Sequence, residues 1–203
     1  MPPPIYQPET RVEYDGFADH LVSESLYLRD PEGNGIEIYR DRMANEWPRD
    51  GSGHVMMDTL PLDLDSLLSE LDLEERRNAG KFPTGARIGH IHLRVTNLKR
   101  SIQFYHQGIG LDLTADWSSM GASFLSAGGY HHHIGINTWF SLNGESHTQG
   151  DLGLDYFIIT IPGRQFVDSL VSSLRNDTRS KQINKNQLLI SDPDGIQILI
   201  SSG

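Results

Sequence analysis

The sequence predicts an α+β fold made of two tandem β-α-β-β-β units, preceded by the closing strands of another such unit. From Ile88 onward, strand-like alternation is followed by a helical segment and further strand-like runs, and after a glycine-rich loop that order repeats. A strand, an Asp-Pro turn and a strand also occur twice, in residues 26–38 and 188–198. The second copy closes a unit, so the first is expected to close one too, and the chain starts partway through a domain.

Residues 1–19 are polar and proline-rich, without a clear period. Leu26-Tyr27-Leu28 then reads as a short strand running into Asp30-Pro31-Glu32-Gly33-Asn34-Gly35, where Asp-Pro opens a turn and the glycines supply positive φ. Ile36-Glu37-Ile38-Tyr39 alternates apolar residues with a carboxylate, which completes a hairpin. The proline, glycine and mixed charges of residues 47–53 mark a connector. Leu64, Leu67, Leu68 and Leu71 fall at helical spacing, with Asp63 or Asp65 able to cap and Arg76-Arg77 at the negative end of the dipole. The expected division is a hairpin remnant of a first domain in 1–45, a linker with one helix in 46–86, and a complete domain in 87–203 with units 87–139 and 154–203.

Within that domain, residues 88–95 alternate like a strand, and Asn97 caps a helix whose face carries Leu98, Ile102, Tyr105 and Ile109. Gly108 and Gly110 end it. Strands follow at 111–113, 122–125 and 131–139. The second unit has a strand at 154–161, a helix at 165–174 with Phe166, Leu170, Val171 and Leu174 inward, and strands at 182–183, 188–190 and 196–200.

Composition narrows the function. Of the 203 residues, 17 are Lys or Arg and 27 are Asp or Glu, a net charge of −10 that argues against nucleic acid or an anionic membrane as partner. There is no cysteine, so disulfides, thiolate nucleophiles and sulfur-ligated metals are excluded. No apolar run approaches a membrane span, and the Met-Pro-Pro-Pro start lacks signal-peptide character, giving a cytoplasmic expectation.

Histidine is the notable resource. His90 and His92 share one face of Gly89-His90-Ile91-His92-Leu93 by period-two alternation. In Gly129-Tyr130-His131-His132-His133-Ile134, the same rule puts His131 and His133 together and His132 opposite. Imidazoles in strands are usually satisfied by hydrogen bonds or water, but three in a glycine-flanked apolar run could equally bind a metal. Tyr156 lies in an apolar strand, Gln197 alternates with isoleucines, and Glu37 holds the matching place in the earlier hairpin. The Gly-x-Ser-x-Gly motif and phosphate-loop spacing are absent.

Together, residues 88–95, residues 98–111 with Phe104-Tyr105, residues 128–139 and the two Asp-Pro-x-Gly hairpins resemble the vicinal oxygen chelate superfamily of glyoxalase, bleomycin-resistance and extradiol ring-cleaving dioxygenase proteins. The Tyr-His-His-His-Ile-Gly and Gly-Asn-Gly-Ile-Glu-Ile-Tyr runs are most similar to those of two-domain catechol 2,3-dioxygenase-like proteins. The resemblance implies a curved mixed-sheet cradle enclosing a divalent metal, with ligands on the first and last strands of each unit. Those positions fall on His90, on His133 or its neighbour His131, on Tyr156, and on Gln197, or on Leu199 if the last hairpin is not shortened. Glu37 matches the carboxylate ligand of the earlier domain.

The implied activity is extradiol cleavage of a catecholic ring through bidentate chelation of its vicinal oxygens, in aromatic catabolism. Fe(II) is the implied ion, with Mn, Ni or Zn as alternatives. His131 or His92 would accept a proton, and Tyr130, Trp139 and Phe157 would form aromatic walls. A glyoxalase-like isomerase or lyase, and a non-catalytic small-molecule-binding member with a degenerate metal site, are the alternatives. The open edges of a two-strand remnant suggest a homodimer.

Overall fold

The computed structural model describes residues 13–70, 83–148, 150–174 and 179–203. The chain divides into two compact units, residues 1–87 and 88–203.

The first unit holds an antiparallel sheet of β1 (Tyr14–Asp19), β2 (Ser23–Arg29) and β3 (Gly35–Asp41), in that order. Strand β1 was not expected from the sequence. A bulge between Tyr14 and Gly16 breaks its alternation, so no period-two signal survives. Leu21, in the link to β2, adopts φ +68°, a conformation that costs a leucine on the order of 1 kcal/mol. Arg42 closes the end of the sheet by donating to both carboxylate oxygens of Asp19, at 2.6 and 2.9 Å, and to Glu24 at 3.1 Å. Its carbonyl accepts from the buried Trp47 indole at 2.9 Å. The linker helix α1 (Leu64–Ser69) starts where Asp63 accepts from the Ser66 amide. Leu71, Arg76 and Arg77 lie outside the described residues.

The second unit carries two four-stranded sheets of identical order. In one, β4 (Ile91–Arg94), β7 (Ile134–Asn137), β6 (Ala122–Ser126) and β5 (Asp112–Trp117) are neighbours in that sequence. In the other, β8 (Tyr156–Ile161), β11 (Gln197–Ser202), β10 (Gln187–Ser191) and β9 (Ser180–Asn184) repeat it. The first and last strands of each set pair in parallel, as a helical crossover requires. Those crossovers are α2 (Leu98–Ile102), capped by Asn97, and α3 (Arg164–Ser173). Helix α2 continues as a π-helical segment, Gln103–Ile109, ended by Gly110 at φ +93°.

One core joins both sheets: Leu93, Val95, Ile134 and Ile136 from the first, Leu188, Ile190, Ile198 and Ile200 from the second, with Tyr105, Val167 and Leu170 from the helical segments. Each such burial contributes about 1.5–3 kcal/mol before entropy. The turn at Asp192-Pro193-Asp194-Gly195 docks onto the start of α2. There Asp194, only 3% exposed, accepts from the Thr96 amide at 3.1 Å and hydroxyl at 2.5 Å, and from Arg100 at 2.6 Å. Asp192 accepts from the Tyr105 hydroxyl at 3.0 Å, and burial raises the pKa of its carboxyl.

Two elements differ from expectation. Phe166 is 40% exposed, because α3 turns Val167 and Leu170 inward instead. The strand expected over 131–139 starts only at Ile134: Gly128 and Gly129 take φ of +70° and +78°, and the histidines belong to the connection before the strand.

Candidate functional site

Parallel pairing of Ile91 with Ile134 and of Leu93 with Ile136 turns these apolar residues to the core and leaves His92 and Arg94 on the opposite face. The ladder begins with Ile91 N–H donating to the His133 carbonyl at 3.0 Å, so His90 and His133 are neighbours across β4 and β7. Desolvation, then the adjacent His90, lower the pKa of His133, whose Nδ1 bonds the Ser126 hydroxyl at 2.8 Å. The His132 ring lies 4.3 Å from that of His90 and 4.9 Å from that of Phe124, so His132 does not point away from the group as strict alternation required.

His131 has no solvent exposure; its Nδ1 lies 2.8 Å from His132 Nδ1, and its carbonyl accepts from Thr114 at 2.7 Å. His131 was expected as a proton acceptor, and the structure places it in the interior. His92 is exposed, between Phe124 and Trp139 at ring distances of 5.9 and 5.6 Å, over Gly135, where a Cβ would come within 3.1 Å of its ring. Trp139 is 55% exposed and Tyr130 stacks on His131 at 4.0 Å. Phe157, expected as an aromatic wall, packs against the core, on the face of β8 opposite Tyr156.

On the second sheet, Tyr156 pairs with Gln197, which donates to the Ser191 hydroxyl at 2.7 Å. Both residues line a cavity of about 840 Å³ over the face that turns away from the core. The hairpin register decides what Gln197 corresponds to. Asp192 N–H donates to the Ile196 carbonyl and Gly195 N–H to the Asp192 carbonyl, just as Asp30 bonds Asn34 and Gly33 bonds Asp30 in the first hairpin. Arg29 then faces Gly35 as Ser191 faces Gln197, and Tyr27 faces Glu37 as Leu189 faces Leu199. The two turns are the same length, so Leu199, the alternative for an unshortened hairpin, stands in register with Glu37.

The polar counterpart is in the first unit. Tyr27 donates to Glu37 Oε1 at 2.8 Å, and its oxygen lies 2.5 Å from His20 Nε2; His20 Nδ1 lies 2.8 Å from the Asp58 carbonyl. Because a carbonyl only accepts, Nδ1 carries a proton. Burial and the Glu37 carboxylate push the Tyr27 phenol far above its ordinary pKa, so it stays protonated. His20 and Tyr27 were not identified from the sequence. Counting outward from the Asp-Pro turn, which sets Tyr27 opposite Glu37, is the signal that finds the phenol.

Among the described residues, no group of three or more His, Asp or Glu side chains converges as a metal site, and no helix is long and apolar enough to cross a membrane.

Residues 87–147 match the family described as Glyoxalase/Bleomycin resistance protein/Dioxygenase superfamily. The chain is 40% identical over 178 residues to a catechol-2,3-dioxygenase of Bacillus subtilis (strain 168), an alignment that takes in 88% of this chain but only 61% of that protein's length. Among solved structures it is similar to Leishmania major glyoxalase I, at 22% identity and a TM-score of 0.45 over 58% of this chain and 87% of that one. A glyoxalase/dioxygenase from Nostoc punctiforme gives 18% identity and a TM-score of 0.46 over 57% and 90%. The match over residues 87–147 and the 40% identity to the Bacillus subtilis protein make the chain similar to the glyoxalase/bleomycin resistance/dioxygenase superfamily.

Proposed function

We propose that this chain forms part of a divalent-metal-dependent, extradiol-type ring-cleaving dioxygenase acting on a catecholic substrate. The name of its 40% identical relative supports the reaction class. The observation that carries the proposal is the hydrogen-bonded series His20–Tyr27–Glu37.

The donor sets of the two units fit a metal differently. In residues 88–203, His90 and His133 supply two adjacent imidazoles, but Leu199 holds the carboxylate position and Tyr156 belongs to the other sheet. A divalent ion there would have no anionic partner, which does not fit. In the first unit, Glu37 offers an anionic oxygen suited to Fe(II), while both ring nitrogens of His20 are taken up by the Asp58 carbonyl and the Tyr27 hydroxyl. Glu37 is the proposed carboxylate ligand. When bound, Fe(II) would supply Lewis acidity and a template for the two vicinal substrate oxygens.

The chain's own residues handle the proton. With Nδ1–H held by the Asp58 carbonyl, two arrangements satisfy the series. Either His20 Nε2–H donates to Tyr27 and Tyr27 to an ionised Glu37, or Tyr27 donates to Nε2 and a protonated Glu37 donates to Tyr27. Both contain the same number of protons. The series therefore holds one transferable proton and moves it between its ends through a phenol that never ionises, so it can hand a proton to a substrate oxygen and can take one from a diol once its own proton has left.

The test is oxygen uptake by the untagged full chain, loaded anaerobically with Fe(II) and mixed with catechol. Uptake matched by catechol loss, and abolished in Glu37→Gln, is expected. Iron-loaded protein that consumes no oxygen, or Glu37→Gln protein with undiminished iron and turnover, would overturn the proposal.

A further inference from the structure

The sequence contains Asn-Gly at Asn34-Gly35 and at Asn143-Gly144, and the fold treats the two pairs differently. In such a pair the backbone nitrogen that follows the asparagine can reach the side-chain carbonyl carbon, because glycine has no Cβ to obstruct the approach. What holds that nitrogen decides whether it does. Gly144 N–H donates to the Ser141 carbonyl at 2.9 Å, and Asn143, at φ +57°, donates its own N–H to the Thr96 carbonyl at 3.0 Å. The second pair is therefore tied down. At Gly35 the ladder leaves the nitrogen out. Arg42 N–H donates to the Val22 carbonyl and Asp30 N–H to the Asn34 carbonyl, so Leu28 and Ile36 form a bonded pair between them and Arg29 faces Gly35 in a pair without ladder bonds. The Gly35 N–H turns instead to the outer side of β3, the end strand of its sheet. Both Asn34 and Gly35 are exposed. Asp30 places the asparagine, accepting from its Nδ2 and from its backbone N–H, each at 2.8 Å. Those bonds, the side-chain one foremost, hold the Asp30 carboxyl below its ordinary pKa, so an anion sits beside the amide.

From this geometry we propose that Asn34 is a site of spontaneous deamidation whose products loosen the hairpin that holds Tyr27 opposite Glu37. Gly35 N gives up its proton and bonds to Asn34 Cγ; the Cγ–Nδ2 bond breaks and the nitrogen leaves as ammonia. Water then opens the succinimide at either carbonyl carbon, giving aspartate or an isoaspartyl link, with no oxidant or reductant involved. Aspartate sets a second carboxylate against Asp30 where an amide had donated, and like charges at that range repel. The isoaspartyl link carries the main chain through Cβ and Cγ, one carbon longer, in the turn whose length sets Tyr27 opposite Glu37. The reaction uses neither metal nor catechol, so it stands apart from the proposed ring cleavage.

The test incubates the full chain in mildly alkaline buffer, folded or in urea, and follows residues 34 and 143 by peptide mapping, with isoaspartyl methyltransferase marking the isomer. In the folded protein, conversion at Asn34 is expected to run about fivefold faster than at Asn143, the order set by one backbone hydrogen bond that must open first. In urea the two rates should converge. Gly35→Ala, whose Cβ meets nothing within 4 Å, should fold and slow conversion at Asn34. Asn34→Asp should speed hydrogen exchange at the Ile36 amide about threefold, the scale of one lost exposed hydrogen bond. Equal rates at the two asparagines of the folded chain, a difference that persists in urea, or no isoaspartate at residue 34 would overturn the site. Unchanged Ile36 exchange in Asn34→Asp would overturn its effect on the hairpin.

Discussion

Leu199 stands in the second Asp-Pro hairpin where Glu37 stands in the first, each directly across the ladder from a residue, Leu189 or Tyr27, that follows the same substitution of aliphatic for polar. The two hairpins share a turn but not a chemistry.

Metal content should follow that register. Glu37→Gln is expected to lower Fe(II) affinity at least about tenfold, the scale on which even indirect metal partners act. Gln197→Leu and His90→Ala should leave it unchanged. Elemental analysis of untagged protein checks this, and iron lost from Gln197→Leu but kept in Glu37→Gln would return the carboxylate position to the second hairpin.

Tyr27→Phe keeps the ring and removes the link between His20 and Glu37. A drop in kcat of about 10²- to 10⁴-fold with little change in KM is expected in the oxygen-electrode assay. A rate within a few-fold of the parent would eliminate proton transfer through the phenol.

Asp194→Ala removes a buried carboxylate that satisfies Thr96 and Arg100 together. Its expected cost in urea unfolding is about 3 kcal/mol. Glu32 holds the same turn position in the first hairpin but is exposed, so Glu32→Gln should change stability by no more than about 0.5 kcal/mol. Equal effects would show that the docking of the turn contributes nothing.

The Arg42 guanidinium bonded to Asp19 holds that carboxyl below its ordinary pKa. A folded pKa below the unfolded one means stability that is present above the unfolded value and lost as pH falls through the folded value. Fluorescence of Trp47, the sole tryptophan of residues 1–87, should therefore report acid destabilisation beginning below about pH 4. Asp19→Asn should be less stable at neutral pH and have a shallower acid limb; an identical pH profile would discount the ion pair.

Much of the fold could be anticipated because its signals are local. Alternation, the Asn97 cap, Gly110 and the paired turns each act within a few residues. Strand β1 could not, since its bulge disrupts the period and its pairing partner, not its composition, makes it a strand. The histidines were visible as residue types, but two positive-φ glycines ended the alternation on which their facing had been inferred. His20 escaped notice for a different reason: its role comes from the Asp58 carbonyl and Tyr27, contacts the chain makes only once folded.

The two versions of the Asp-Pro turn also differ in how much change they can absorb. One has a side chain wedged among Thr96, Arg100 and Ser101; the other has its equivalent in water. A library randomised at positions 32 and 194 should accordingly retain folded members with nearly any residue at the former and very few at the latter.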